Sequence, residues 1–128
     1  MPYTLTWNDD GTYVKFFGKV SFSEVREADN LHYGDKKFDD IKYQIFDFTD
    51  ADVSRITRQD AQIQAAHDKA ASHYKKNLKV ANIGKGEHIE AVFKEYANFM
   101  MHWQSTWEFR SFSNYKEAIQ WCTNEATT

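Results

Sequence analysis

IKYQIFDFTDADVSRITRQDAQIQAAHDKAASHYKK, running from Ile41 to Lys76, is the stretch that decides the fold. Ile41 to Phe48 has the β-prone residues of a buried strand. An acidic, hydroxyl-rich turn follows, and then an alanine-rich helix from about Arg58 to Lys76. Thr57-Arg58-Gln59-Asp60 supplies the helix's capping signature. In open α/β sheets, ligands sit in the crevice beyond the carboxyl ends of the strands. That makes the turn, with Asp47, Thr49, Asp50, Asp52, Ser54 and Thr57, the first candidate site.

Working outward toward the N-terminus, Tyr3 to Asn8 alternates as a strand does. Asp9-Asp10-Gly11-Thr12 is a hairpin turn into a second strand, Thr12 to Val20. Ser21 and Glu24 form a capping box for a helix from about Phe22 to His32, and Tyr33 to Asp40 reads as a polar loop. Toward the C-terminus, Leu78 to Ile83 is a fourth strand, ended by Gly84-Lys85-Gly86. Ile89, Val92, Phe93, Tyr96, Phe99 and Trp103 then fall on one face of a helix. Thr106 to Phe112 is a fifth strand, and Ser113 caps a last helix with Ala118 and Cys122 on its inner side. The resulting order, β-β-α-β-α-β-α-β-α, requires an α/β fold. Its five-stranded mixed sheet has an N-terminal antiparallel hairpin, parallel neighbours elsewhere, and four helices.

Alternation within the strands predicts helices gathered mainly on one side. Val14, Phe16, Tyr43, Ile45, Val80 and Phe109 would face them. The other face mixes Lys15, Lys42 and Arg110 with Phe17, Phe46, Phe48, Ala81, Ile83 and Phe112. That apolar patch is either a partner surface, including one for a homodimer, or is covered by the first helix or the loop Tyr33 to Asp40.

The 128 residues suit one domain, and 41% apolar residues can build a core. A net charge of −3 without a basic patch argues against nucleic acid and anionic membranes. The lone Cys122 excludes an internal disulfide. MPYTLTWNDDG lacks a signal-peptide pattern and no apolar run could span a bilayer, so the expectation is a soluble cytoplasmic protein. The five histidines, His32, His67, His73, His88 and His102, lack metal-ligand spacing, and no catalytic set or cofactor motif stands out.

Three segments carry a family resemblance: YQIFDFTDAD at 43–52, LKVANIG at 78–84 and WEFRSFSNYKEAIQWC at 107–122. With the order of elements, they resemble the SpoIIAA-like superfamily, which includes STAS domains and small stand-alone STAS/SEC14-like proteins. The resemblance covers nearly the whole chain and implies a β-α superhelix without enzymatic activity. In relatives of the sigma-factor pathway, a serine or threonine before the second helix is phosphorylated within an Asp-Ser-Gly signature. Here the stretch is Arg55-Ile56-Thr57-Arg58; the signature is absent and only Thr57 matches a hydroxyl position.

Each candidate has a functional and a structural reading. The turn residues Asp47, Thr49, Asp50, Asp52 and Ser54 would hold a cation, a hydroxyl ligand or a protein partner, or else Asp47 anchors the loop and the rest solvate it. Ser54 and Thr57 are phosphoacceptor candidates, with Thr57 otherwise an N-cap. Gly84, Lys85 and Gly86 could cradle an anion before a helix, although the full phosphate-loop pattern is missing. Phe93, Phe99, Met100 and Trp103 are core, or they line a pocket for a small apolar or lipid ligand, as the SEC14-like resemblance implies. The sequence thus points first to a regulatory or binding module acting through the turn, and second to a carrier of an apolar ligand.

Overall fold

The computed structural model describes residues 3–124; residues 125–128 lie outside it, as do Met1 and Pro2 at the head of the segment tested for a signal peptide. The chain forms β1 (Tyr3–Trp7), β2 (Gly11–Lys19), α1 (Phe22–Tyr33), a 3-10 turn (Lys36–Asp40), β3 (Tyr43–Asp52) and α2 (Arg58–Tyr74). It continues with β4 (Lys79–Ile83), α3 (Glu87–His102), β5 (Glu108–Phe112) and α4 (Tyr115–Thr123). The strands lie side by side in sequence order, β1 antiparallel to β2 and the other neighbours parallel. This is the expected α/β architecture, a five-stranded mixed sheet with four helices.

Local chemistry explains the starts of the elements. Gly11 lies opposite Tyr43, and a Cβ there would come within 2.4 Å of the tyrosine ring. Both expected capping boxes form, Ser21 with Glu24 and Thr57 with Asp60. The cap of α4 is Asn114 instead of Ser113: its Oδ1 accepts from the Glu117 amide at 2.9 Å. The spacing to Glu117 at the third helical position selects the asparagine.

Every parallel step moves one strand in the same direction, so right-handed crossovers carry α1, α2 and α3 over one face. The main core fills that layer, and α4 turns back over the opposite face against β3 and β4. Two expectations about β3 need correction. First, β3 runs on to Asp52, so Thr49, Asp50 and Asp52 stand on a strand and not in a turn. Phe17, Gly18 and Lys19 of β2 pair with Asp50, Ala51 and Asp52, after a bulge at Phe48 and Thr49. Second, the phase of β3 is inverted. Val14 lies opposite Phe46 and Tyr13 opposite Ile45, so Phe46 and Phe48 face α1 to α3 while Tyr43 and Ile45 face α4. Tyr43 to Phe48 is buried at every residue, which erases the alternation that would have fixed the phase.

The apolar patch expected on the mixed face is mostly covered as a result. Ala81 and Ile83 are sealed beneath Ala118 and Cys122 of α4, and Phe112 packs on Trp121 at 5.7 Å. Of the residues expected there, Phe17 alone is exposed, at 39%. The roof is neither the first helix nor the 33–40 segment, and a homodimer contact through this face has little apolar surface left to use. Among the described residues, no helix is long and apolar enough to cross a membrane.

Candidate functional site

The acidic segment of β3 is largely engaged with its own neighbours. Asp47 is buried and accepts from Tyr13 Oη at 2.5 Å, from the Thr49 amide at 2.9 Å and from Thr49 Oγ1 at 2.5 Å. Burial, with the bond to Asp47, pushes the Tyr13 phenol upward. Asp50 pairs with Lys15 at 2.9 Å across the strands. Asp52 accepts from the Ser54 amide at 3.0 Å, and Ser54 holds its carboxyl below the ordinary range. Among the described residues, no group of His, Cys, Asp and Glu side chains is arranged to hold a metal.

Ser54 and Thr57 are exposed, but the Thr57 hydroxyl already works as a helix cap. Its Oγ1 accepts from the Asp60 amide at 3.0 Å, and Asp60 accepts from the Thr57 amide at 2.9 Å. Thr57→Ala is expected to cost about 1 kcal/mol of stability. Urea unfolding would report this as a lower midpoint at unchanged slope, with Thr57→Ser near the parent.

The Gly84-Lys85-Gly86 loop serves packing and turning. A Cβ on Gly84 would press on Ile89 and Phe93 at 3.1 and 3.2 Å. Gly86 has φ of 109°, and its amide donates to Glu90 Oε2 at 3.2 Å. A carboxylate of the chain itself therefore sits where an anion would enter.

Of the four residues suggested for an apolar pocket, Phe93 alone lines a cavity. Met100 is fully buried in the core, and the rings of Phe99 and Trp103 pack together at 5.8 Å. The cavity, of about 80 Å³, lies between α1, α2, α3 and the helix-covered face of β3 and β4. Its apolar walls include Phe46, Phe48, Val80, Ile89, Val92 and Phe93. Phe22, Ala61 and Ile89, from the first turns of the three helices, and Ile56 just before α2 place it toward the carboxyl ends of the strands. A concavity does lie beyond the third strand, but under the helices and not at the acidic segment.

Two carboxyls meet at this cavity. Asp29 of α1 and Asp68 of α2 are 4% and 2% exposed. Tyr33 Oη donates to Asp68 Oδ1 and Tyr96 Oη to Asp68 Oδ2, each at 2.6 Å. Gln64 Nε2 donates to Asp29 Oδ2 at 2.6 Å and reaches Asp68 Oδ1 at 3.1 Å. Burial first, and then the neighbouring Asp68 carboxylate, raise Asp29 well above the ordinary carboxylate range. Both causes favour the protonated form of Asp29. Burial followed by the Asp68 charge likewise raises the Tyr96 phenol, which stays a neutral donor.

A third polar group lies on the sheet side. Asn82 of β4 lines the cavity at 9% exposure, and its side chain makes no hydrogen bond among the described residues.

Motif reading missed this cluster because it searched the loops. A signal was present in the helices. Asp68 falls on the stripe of Ala61, Ala65 and Ser72, and Asp29 on that of Phe22, Val25 and His32, so an acid interrupts the inward face of each helix.

No family model matches the sequence, and no curated protein matches it. Among solved structures, the chain is similar to the crystal structure of an uncharacterized protein from the DUF3478 family with a SpoIIAA-like fold, from Shewanella loihica PV-4. Identity is 21% over 94% of this chain and 91% of that one, with a TM-score of 0.49.

Proposed function

We propose that this protein is a binding module whose pocket, between α1, α2, α3 and the sheet, takes a small ligand with an apolar body. The observation that carries this reading is the cavity itself, whose walls from Phe46, Phe48, Val80, Ile89, Val92 and Phe93 are apolar while Asp29, Asp68, Gln64 and Asn82 supply a few polar groups. Apolar walls with a few convergent polar groups are the usual make-up of a small-molecule site. The pocket differs from the one expected around Phe99, Met100 and Trp103, but the class of function, carriage or sensing of a small ligand, is the same. Titrating 1-butanol into isotopically labelled protein tests it. Amide shifts concentrated at Phe48, Asn82 and Ile89, and their loss in Ala61→Phe, would support it. An unchanged spectrum at millimolar ligand would overturn it.

A second reading is a regulatory module acting through the segment Thr49 to Thr57. Its support is the exposure of Asp50, Asp52, Ser54 and Thr57 around the start of α2. Phosphate at Thr57 would replace a capping hydroxyl with charge at the positive end of the helix. The intact mass of protein from its native cells is the test: added phosphate mapped to Ser54 or Thr57 supports this reading, and unmodified mass counts against it.

A further inference from the structure

We infer that the ligand enters with a primary ammonium group as its polar end, seated against Asp29, Asp68 and Gln64, while a short apolar chain lies among Phe46, Phe48 and Phe93. This deepens the pocket reading above and rests on it. Hydrogen bonding at the polar end favours a donor. The donors near the carboxyl pair are already committed: Tyr33 and Tyr96 to Asp68, and Gln64 Nε2 to both acids. Gln64 Oε1 is left buried without a partner, an acceptor open to a ligand. The Asn82 amide lines the same cavity and can either donate or accept. A ligand bringing N–H donors satisfies Gln64 Oε1; one bringing only acceptors leaves it unpaired.

Charge acts in the same direction. Asp29, Asp60 and Asp68 line the cavity, and among the described residues no lysine, arginine or histidine does. An anionic ligand would meet carboxyls with no compensating cation, whereas an ammonium supplies the missing charge. Size limits the apolar part. A cavity of about 80 Å³ is roughly half of the ~150 Å³ that accommodates benzene in an engineered core. A chain of a few carbons fits, and a longer one would have to extend through the opening.

The test compares three ligands of matched length, butylamine, 1-butanol and butyrate, by chemical-shift titration of the parent protein. Hydrogen bonds to a charged group set the scale, so butylamine is expected to bind about tenfold or more tighter than 1-butanol, and butyrate weakest of all. Asp68→Asn should remove the preference for the amine while leaving 1-butanol binding in place, which also shows that the variant is folded. If that variant does not fold, the selectivity of the parent decides alone. Equal affinity for butylamine and 1-butanol would overturn the ammonium inference and leave the pocket reading standing. Silence from all three ligands would overturn both.

Discussion

Phe16→Ala is expected to cost about 3–5 kcal/mol of folding stability, a large share of the roughly 5–15 kcal/mol that holds an ordinary domain together. Phe16 is fully buried, stacked on Phe48 at 4.6 Å with planes 2° apart, and tilted against Tyr3 at 5.9 Å. It also stands at the step in register between Lys15, opposite Asp47, and Phe17, opposite Asp50. Truncation would open a cavity where the strand pairing is already irregular, so the surroundings have little means to collapse onto it. The neighbouring Phe17 makes the contrast. It is 39% exposed on the other face, and Phe17→Ala is expected to fall within about 0.5 kcal/mol of the parent. Urea unfolding of the two variants therefore reads the register directly. If Phe17 proved the costly one, β2 would be shifted by one residue and its faces exchanged.

The same strand pair marks how far the sequence could be read. Element order, hairpin and two capping boxes were legible because each rests on local chemistry: Asp10-Gly11, Ser21 with Glu24, and Thr57 with Asp60. The phase of β3 was not, because Tyr43 to Phe48 carries apolar or buried groups on both sides and only pairing with Val14 and Tyr13 separates them. Nor was the extension of β3 to Asp52, which depends on the end of β2 being long enough to pair with it. The role of α4 as a roof escaped for a similar reason. Among the described residues no strand follows it to fix a crossover, so its side of the sheet is set by packing against Ala81 and Ile83. The site was the least legible part. Asp29 and Asp68 stand on different helices, and although each interrupts an inward-facing stripe, neither alone shows that the two meet. They become a pair only when α1 and α2 lie together over the sheet.

That pairing leads to the second large effect. Asp68→Ala is expected to cost about 3–5 kcal/mol, although it removes only a small side chain. Tyr33 Oη, Tyr96 Oη and Gln64 Nε2 all donate to Asp68, and the truncation would leave them buried with fewer acceptors. Asp29→Asn should behave in the opposite way. With its carboxyl raised by burial and by Asp68, Asp29 favours a protonated form that an asparagine amide can imitate, and the new carbonyl can still accept from Gln64. The sign of the pH effect follows from the direction of that shift. The folded state holds the Asp29 proton more tightly than the unfolded chain does. Its contribution to stability is therefore complete below the unfolded carboxylate value and is lost as pH rises through the folded one. The parent should weaken relative to Asp29→Asn as pH is raised from the acid range, and the variant should be the more stable protein at neutral pH. Urea unfolding of both across that range is the measurement, and two parallel stability curves would mean that the Asp29 carboxyl is not raised. Because Asp29→Asn keeps the hydrogen bonds while Asp68→Ala removes their acceptor, the two variants together distinguish the charge of the pair from its geometry.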